Sequence, residues 1–358
     1  MKTDTRKINF GAGPAMLPPE VLLQASQAVL DYNQSGMSIL EIPHRGQLCR
    51  DMIDECTALV KELCGIGDDF HVIWQQGGGR QQFCMIPMNF LRPDATAGFL
   101  ISGHWSKEAM EYAHFYGNVN EVASSEPMKF NCLPAIPVDF SQELAYLHYT
   151  TNNTIFGTQW HDIPQSGAVP LIADMSSDIL SSERDYSRFS LFYAVAQKNL
   201  GAAGNCLVAI RKDFLDRQVS AKLPPSFDFK AQVAERSVLN TANAFAIYVT
   251  LLMLKWIKAK GILSIDADNK LKSSILYLSI DDSPSFVPYV ANKAHRSNMN
   301  VCFFPVNPDV EARFNNLCKQ NNITGIAGHR SAGGYRVSLY NAISVQNVQL
   351  LAEIIASI

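Results

Sequence analysis

Short, nearly all-apolar segments recur along the first 211 residues of the chain, and turns or amphipathic stretches separate them. Strands that are covered on both faces produce such runs, because neither face meets water. The pattern predicts strands at residues 71–76, 96–102, 143–150, 170–175, 191–196 and 206–211.

Apolar residues at helical spacing fill the stretches before and between the early strands. A helix is expected from Pro19 to Leu30, since proline is well tolerated in a first turn. Further helices are expected at about residues 48–64, 81–91 and 105–115. Strands that alternate with helices favour an α/β fold built on a mostly parallel, doubly wound sheet.

The organisation changes after Pro225. A long helix is predicted at residues 244–260, and its basic last turn suits the helix dipole before Gly261 ends it. The tail then predicts a helix near 266–279, a strand at 299–305, a helix at 309–321, a strand at 335–340 and a closing helix at 344–357. This order favours a smaller α/β layer of about 90–100 residues, which is a plausible domain size.

Composition and charge exclude several classes of protein. With 47% hydrophobic and 18% charged residues in 358, the chain can bury a sizeable core in two or three domains, or in one large domain with a satellite. A net charge of −3 gives no support to a nucleic-acid or acidic-membrane partner. We expect a cytoplasmic protein, because the first ten residues lack the apolar segment of a signal peptide and no apolar run approaches a membrane span.

The eight cysteines are scattered, without a Cys-x-x-Cys pair. No His-x-x-His or His-Glu-x-x-His pattern accompanies them, so no metal site is expected. Most lie inside apolar segments and indicate small core residues of a reducing compartment.

One lysine stands out at the end of a predicted strand. Lys198 follows the apolar run that begins at Leu191, and a solvated strand end is the simplest interpretation. A second apolar run, however, ends in Asp174. If the two ends meet at one edge of a parallel sheet, the pair supplies what pyridoxal phosphate requires: a lysine for a Schiff base and an acid for the pyridinium nitrogen.

A glycine-rich turn offers a candidate anion site. Gly77-Gly78-Gly79-Arg80 comes directly after a strand and opens a helix, where backbone N–H groups can face a phosphate. The turn matches neither the Walker loop nor G-x-G-x-x-G, and an ordinary tight turn remains the alternative.

Other loop residues could recognise a flat ring or an acidic ligand. Trp105 follows a strand and could stack on a ring, although a tryptophan is more often a core residue. The polar residues at 149–154 could bond a ring substituent. Arginine forks bind carboxylate and phosphate, and the arginines at 45, 330 and 336 lie in two loop regions that could hold a doubly acidic substrate.

With these pieces in order, the chain resembles the phosphoserine aminotransferase family of class V, fold-type I pyridoxal-phosphate enzymes, nearly end to end. The segments that carry the resemblance are 9–15, 44–46, 77–83, 103–105, 153–155, 173–177, 196–199, 240–241, 328–330, 333–336 and 340–342.

The resemblance implies a role for each candidate residue. Lys198 would hold the cofactor as a Schiff base and then move the Cα proton, while Asp174 would keep the pyridinium nitrogen protonated. Trp105 would stack on the ring, and Thr154 would bond its phenolic oxygen. The cofactor phosphate would be held by Gly79, Arg80 and Gln197, together with Asn240 and Thr241 of the neighbouring subunit.

The substrate contacts follow in the same way. Arg336 would grip the α-carboxylate of the substrate. The phosphate of phosphoserine or the distal carboxylate of glutamate would be taken by His44, Arg45, His329 and Arg330, in part across a homodimer with shared active sites. The activity implied is amino transfer between glutamate and 3-phosphohydroxypyruvate in serine biosynthesis, with a related vitamin B6 precursor as a further substrate in bacteria.

Two structural expectations accompany these roles. Residues 17–258 would form a large cofactor-binding domain, and residues 1–16 and 259–358 a small one. The cofactor and substrate would sit at the carboxyl ends of the strands.

The chain departs from the family's pattern at four places: Val195 where glycine is usual, Ala202 where proline is usual, residues 242–244 where Pro-Pro-Thr is usual, and Pro43 where serine is usual. Valine adds bulk beside the cofactor strand, and the missing prolines loosen two loops. The alternatives are therefore a cofactor-dependent paralogue for another acidic amino acid and a catalytically weakened cofactor-binding protein. A nucleotide-binding protein that uses the glycine turn is the third.

Overall fold

The fold is α/β, as predicted, in a computed structural model that describes residues 6–136, 143–219 and 222–358. In chain order the strands are β1 (Ile8–Asn9), β2 (Phe70–Gln76), β3 (Thr96–Ile101), β4 (Asn118–Ser124), β5 (Leu147–Thr150), β6 (Leu171–Asp174), β7 (Leu191–Val195), β8 (Asn205–Arg211), β9 (Phe286–Pro288), β10 (Asn300–Pro305), β11 (Ile323–Thr324) and β12 (Tyr335–Ser338). The α-helices are α1 (Pro19–Leu30), α2 (Gln47–Cys64), α3 (Gly79–Phe90), α4 (His104–Ala113), α5 (Lys212–Leu215), α6 (Phe229–Ala234), α7 (Ala244–Lys260), α8 (Ile262–Asp281), α9 (Pro308–Gln320) and α10 (Val345–Ala356).

Seven strands form the large sheet in the order β2-β8-β7-β6-β5-β3-β4. The neighbours from β4 to β7 are parallel, and β8 runs antiparallel to both β2 and β7. The prediction of a mostly parallel sheet is therefore confirmed. Because β5, β6 and β7 are parallel neighbours, their carboxyl ends lie side by side at one edge of the sheet.

Each face of this sheet is covered by helices. Alternate residues of the central strands pack against α1, α2 and α7 on one face, in a cluster that contains Tyr149 and Phe192. The residues between them, such as Ile172 and Tyr193, pack against α3, α4 and α6 on the other face. Both faces of the strands are thus apolar, which explains why these segments lack an alternating pattern.

The C-terminal part forms a second layer. An antiparallel sheet in the order β12-β10-β9 packs with α8, α9 and α10 around Phe314 and Leu351. The N-terminal segment joins it, because β1 pairs with β11 and Phe10 belongs to the same core cluster. These contacts favour grouping the two ends of the chain together. The limits at residues 16 and 258 stay a prediction, and residues 1–5 lie outside the described residues.

Several predicted limits were wrong. β5 begins at Leu147 instead of residue 143, and α8 begins directly after Gly261 instead of at residue 266. The strand β4 was not predicted, because it lies at the edge of the sheet and most of its residues are partly exposed and polar. No helix among the described residues is long and apolar enough to cross a membrane.

A buried lysine ties α8 to the segment after β12. The Nζ of Lys272 donates hydrogen bonds to the carbonyls of Leu339, at 2.7 Å, and Tyr340, at 3.0 Å. The pKa of this lysine is lowered to about 7. Burial is the main cause, Lys260 contributes to the decrease, and Asp268 opposes it. The amine therefore loses its proton in the folded protein at a pH where it stays charged in the unfolded chain.

This shift predicts a pH-dependent contribution to stability. Above pH 7 the unfolded state binds more protons at residue 272 than the folded state, so the contribution of Lys272 to the free energy of unfolding rises with pH up to its unfolded pKa. Between pH 7 and 9, wild-type protein should gain roughly 1–2 kcal/mol relative to Lys272→Met. Urea unfolding of both proteins, followed by tryptophan fluorescence, measures the difference; two curves with the same pH dependence would contradict the shift.

Candidate active site

A cavity of about 250 Å³ opens where β5, β6 and β7 end and α3 and α4 begin. Its position is the one that parallel sheets offer to ligands, because loops diverge there and helix N-termini point inwards. The lining residues are Gly78, Gly79, Arg80, Phe83, Trp105, Thr150, Asn152, Thr154, Asp174, Ser176, Ser177, Val195, Gln197 and Lys198. Seven predicted site residues, Gly79, Arg80, Trp105, Thr154, Asp174, Gln197 and Lys198, thus meet in one cavity.

Among the described residues, Lys198 is the only lysine that lines this cavity. It follows β7 by three residues, and its Nζ donates a hydrogen bond to Thr154 Oγ1 at 2.9 Å. Burial lowers the pKa of Lys198 to about 8; Arg336 adds to the decrease, and Asp174 opposes it. Near neutral pH a useful fraction of this amine is therefore unprotonated and nucleophilic.

Asp174 is the last residue of β6 and is buried. The backbone N–H of Ser176 donates to its Oδ1 at 2.9 Å. Burial raises the pKa of Asp174, while Ser176 and Lys198 pull it down. A carboxylate in this position is stabilised by a cationic partner in the cavity.

The walls of the cavity are mainly apolar and aromatic. Phe83, Trp105 and Val195 line it, and the guanidinium of Arg80 lies 5.1 Å from the centre of the Trp105 ring. A Cβ added at Gly79 would meet Val195 Cγ1 at 3.6 Å, so the two residues pack closely. Such walls suit a flat ring more than a charged chain.

The glycine turn leads directly into α3, which begins at Gly79. Gly77 has φ of +111°, a conformation that favours glycine, and its N–H is engaged by the Gly204 carbonyl at 3.3 Å. The first N–H groups of α3 lack partners within the helix, as at any helix start, and they border the cavity. The turn thus offers an anion site at this end of the cavity.

The structure adds a residue that the sequence pattern did not reveal. The Nε of Arg80 donates to the carboxylate of Glu108 on α4 at 2.7 Å, and His104 lies 3.6 Å from the other oxygen of the same carboxylate. Glu108 therefore sets the direction of the Arg80 side chain. Nothing in the sequence marks which acid pairs with an arginine 28 residues away.

Arg336 lies beside the cavity on β12. Its Nη1 donates a long hydrogen bond of 3.5 Å to the carbonyl of Thr154, and its positive charge helps to lower the pKa of Lys198. The Nε of Arg336 is buried and has no hydrogen-bond partner among the described residues. This guanidinium is well placed to donate hydrogen bonds to a carboxylate near Lys198.

His329 and Arg330 belong to the loop between β11 and β12, which approaches the start of α4. The Nδ1 of His329 lies 2.6 Å from Ser331 Oγ, and its ring centre lies 6.3 Å from that of His104. Burial lowers the pKa of His329, and Arg336 lowers it further. The loop therefore brings the imidazole of His329 towards the start of α4, which borders the cavity.

The other four predicted residues do not line the cavity within this subunit. Arg45 donates to the carbonyls of Val238, at 3.4 Å, and Leu239, at 3.2 Å. The exposed pair Asn240 and Thr241 follows directly. His44 precedes Arg45, so His44, Arg45, Asn240 and Thr241 form one patch at the surface; their assignment to a neighbouring subunit's site stays a prediction.

The comparisons with known proteins decide the family. The model of the family described as Aminotransferase class-V matches residues 8–351.

The chain belongs to the class V aminotransferase family.

Among proteins similar to this class V aminotransferase, the phosphoserine aminotransferase of Desulfatibacillum aliphaticivorans is 44% identical over 349 residues, which are 96% of each chain. That of Flavobacterium johnsoniae is 41% identical over 358 residues, which are 99% of each. The solved phosphoserine aminotransferase of Bacillus circulans subsp. alkalophilus matches with a TM-score of 0.93 at 38% identity and covers 98% of both chains. A PLP-bound phosphoserine aminotransferase from Trichomonas vaginalis matches with a TM-score of 0.90 at 35% identity, over 98% of this chain and 99% of its own.

The cavity fits the cofactor named for that last structure. Trp105 Nε1 and Thr150 Oγ1 are buried at the cavity and have no hydrogen-bond partner among the described residues, so a polar ligand in the cavity can satisfy them. An amine, a carboxylate and a helix start at separate points of the wall match an aldehyde, a ring nitrogen and a phosphate. No cluster of three or more metal-binding side chains occurs in the part of the chain that the structure describes.

The structure also shows where two departures from the family's pattern lie. Val195 lines the cavity and packs against Gly79. Asn243 stands at the start of α7, where the resemblance leads us to expect proline, and its Oδ1 accepts from the N–H of Ala246 at 3.1 Å. This side chain caps the helix, so the loop keeps a defined start without the proline.

The position of Lys198 predicts how fast the apoprotein takes up pyridoxal 5′-phosphate. Because only the unprotonated amine reacts, the rate of uptake should rise with pH and level off above about 8. Removing the Arg336 charge favours the protonated lysine, so Arg336→Met should move the midpoint to higher pH. Stopped-flow absorbance of apoprotein mixed with the cofactor gives both midpoints; Arg313→Met, on the distant helix α9, is the control.

A midpoint near the ordinary lysine value in wild-type protein, or one that does not respond to Arg336→Met, would contradict the proposed environment of Lys198.

Proposed function

We propose that the chain is a phosphoserine aminotransferase that transfers the amino group of glutamate to 3-phosphohydroxypyruvate, giving phosphoserine and 2-oxoglutarate. The observation that carries the proposal is the cavity in which Lys198 and Asp174 meet beside an aromatic wall and a helix start. Identities of 41–44% to phosphoserine aminotransferases over nearly the whole chain support the same substrates. The reaction belongs to serine biosynthesis, and we propose a cytoplasmic location and a vitamin B6 precursor as a second substrate.

Pyridoxal phosphate supplies an aldehyde that carries the amino group and a ring that accepts electrons from the substrate's Cα. Lys198 would hold the cofactor through its amine. When that amine is not engaged, the Lys198 Nζ would take the proton from the substrate's Cα and donate it back later in the reaction. Its lowered pKa, about 8, suits a group that must act as a base near neutral pH.

Asp174 pairs with the ring nitrogen. A carboxylate that is buried beneath the cavity binds a protonated nitrogen more strongly than one in water, because little solvent screens the pair. Thr154, which accepts from Lys198, would bond the phenolic oxygen of the ring, and Trp105 would stack on the ring. These contacts would hold the ring in place.

The residues at the start of α3 would hold the phosphate of the cofactor. The backbone of Gly79 and Arg80 and the side chain of Gln197 line that end of the cavity. A phosphate there is stabilised by the unpaired N–H groups and by the helix dipole.

Substrate recognition uses arginine. Arg336 takes the α-carboxylate, since its buried Nε needs a partner. His329 and Arg330 take the second anion, which is a phosphate in one substrate and a carboxylate in the other. One cationic region therefore serves both half-reactions, because both substrates end in an anion.

We further propose a homodimer in which His44, Arg45, Asn240 and Thr241 complete the partner's site. Within one subunit these residues form a patch that does not line the cavity. Apolar side chains are exposed on α1 and on the loop that follows it, among them Leu23, at 59%, and Leu40, at 66%. Exposed apolar surface beside this patch favours a subunit contact at that place.

The function predicts a half-reaction without any acceptor. Added glutamate should convert the absorbance of the aldehyde form of the bound cofactor to that of its amine form, and 3-phosphohydroxypyruvate should reverse the change. Lys198→Ala should lower the rate by several orders of magnitude, because the only amine lining the cavity is lost. Lys270→Ala, which removes an exposed lysine of α8, is the control.

Other outcomes point to the alternatives. A bound, coloured cofactor that glutamate leaves unchanged would indicate a weakened homologue or a paralogue with another amino donor. The absence of bound cofactor altogether would favour a nucleotide site at the glycine turn.

A shared site predicts complementation between two inactive subunits. Lys198→Ala protein and Arg45→Ala protein should each be nearly inactive, but their mixed dimer contains one site with both wild-type residues. Random exchange of subunits should therefore restore about a quarter of wild-type activity, since half of the dimers are mixed and half of their sites are intact. Co-expression with two affinity tags isolates the mixed dimer, and an isolated mixed dimer without activity would contradict the shared site.

A further inference from the structure

Two polar residues lie inside the apolar core directly beneath the cavity. His148 on β5 and Tyr193 on β7 are 2% and 0% exposed. The ring Nε2 of His148 and the hydroxyl of Tyr193 are 3.0 Å apart. Their surroundings are apolar, with Ile172 and the ring of Phe99 packed nearby. A buried polar pair in such a place requires an explanation, because apolar residues of the same size would pack there at lower cost.

The pair is continuous with Asp174. Tyr193 is the direct cross-strand partner of Asp174 in the pairing of β6 with β7, and their side chains share the face that looks towards α3. The Asp174 carboxyl lies close enough to the Tyr193 hydroxyl to contribute to the raised pKa of the phenol. The chain of contacts therefore runs from His148 through Tyr193 to Asp174, and from there into the cavity.

The chemistry of the three groups sets the direction of the hydrogen bonds. Burial raises the pKa of Tyr193 well above its usual value, so the phenol keeps its proton and can donate it to the carboxylate. Burial lowers the pKa of His148 to about 3, so the imidazole is neutral and carries one N–H. If Tyr193 donates to Asp174, its oxygen accepts from the Nε2–H of His148.

The unpartnered atom of His148 agrees with this direction. Its Nδ1 is buried and has no hydrogen-bond partner among the described residues. With the proton on Nε2, that atom carries only a lone pair. The opposite direction would leave an unpaired N–H in the core, which native structures rarely contain. Both donors thus point towards the carboxylate.

We propose that Tyr193 and His148 are positioning residues that keep Asp174 ionised and directed at the ring nitrogen of the bound cofactor. The inference rests on the proposed function for the identity of that cofactor. These two residues explain how the buried Asp174 carboxylate can remain an anion. The Nε2–H of His148 donates to the Tyr193 oxygen, and the Tyr193 hydroxyl donates to the carboxylate.

The other titratable groups that face Asp174 do not replace this support. Lys198 lies after β7, and its amine is consumed when the cofactor is attached. Asp178 has like charge but is paired with Arg184 at 2.9 Å. Cys206 on β8 stays neutral, because burial raises its pKa. The Ser176 N–H donates to Oδ1 of Asp174, and Tyr193 is the further donor that can act on this carboxylate throughout the reaction.

The test compares the affinity of the protein for pyridoxal 5′-phosphate across pH. Tyr193→Phe removes only the hydroxyl, so the Asp174 carboxyl should be protonated at higher pH than in wild type. The dissociation constant for the cofactor should rise about tenfold or more at neutral pH. The acid limb of its pH profile should move up by about half to one pH unit. Equilibrium dialysis of the holoenzyme with absorbance of the free cofactor measures both quantities.

Variants of His148 separate donation from packing. His148→Gln keeps an N–H that can donate to Tyr193 and should retain most of the wild-type affinity and pH profile. His148→Leu removes the donor and should shift the profile in the same direction as Tyr193→Phe. Tyr146→Phe removes another buried tyrosine hydroxyl, from the residue that directly precedes β5, and should leave the profile unchanged. If Tyr193→Phe does not fold, the comparison of His148→Gln with His148→Leu decides alone.

Unchanged cofactor affinity and pH profile in Tyr193→Phe, or equal behaviour of His148→Gln and His148→Leu, would overturn the inference. These results are independent of the glutamate half-reaction. A wild-type protein that binds pyridoxal 5′-phosphate but does not react with glutamate would refute the proposed function. The pH dependence of cofactor affinity, measured by dialysis, would still test the role of Tyr193.

Discussion

The fold encloses the carboxyl group of Asp174 and the amine of Lys198 in one small cavity. The cavity moves both groups towards their neutral forms, because burial raises the pKa of Asp174 and lowers that of Lys198. A ligand with a protonated ring nitrogen and an aldehyde relieves both at once: the carboxylate gains a cation, and the amine forms a covalent bond. Each group has to stay in place before the ligand arrives. The large sheet provides this, since Asp174 ends one central strand and Lys198 follows the next.

The sequence predicted most of this arrangement because it follows from local patterns. Strands that are buried on both faces are recognisable as apolar runs, and their polar ends mark one edge of the sheet. Lys198, Asp174 and the glycine turn each stand at such an end, so the parallel order of the strands was enough to bring them together. The edge strand β4 was missed for the converse reason: it is polar and partly exposed, so it carries no apolar run.

What the sequence could not provide depends on distant contacts. Glu108 pairs with Arg80 only because α4 packs beside α3, and no spacing rule links the two residues. His148 and Tyr193 each stand alone in an apolar strand, where a histidine or a tyrosine signals nothing in particular. Their contact appears only once β5 and β7 lie on either side of β6. The pairing of the strands thus brings polar side chains into contact, and the sequence pattern alone does not show this.

The anchoring of Arg45 has a consequence for assembly. Its guanidinium holds the carbonyls of Val238 and Leu239, which directly precede Asn240 and Thr241. In the proposed dimer, Arg45 binds the substrate's anion and the Asn240–Thr241 pair binds the cofactor's phosphate in the partner's site. The hydrogen bonds of Arg45 to Val238 and Leu239 therefore connect the two groups that cross the interface. Dissociation of the subunits would then withdraw the two together, and the affinities for substrate and cofactor would depend on protein concentration in parallel.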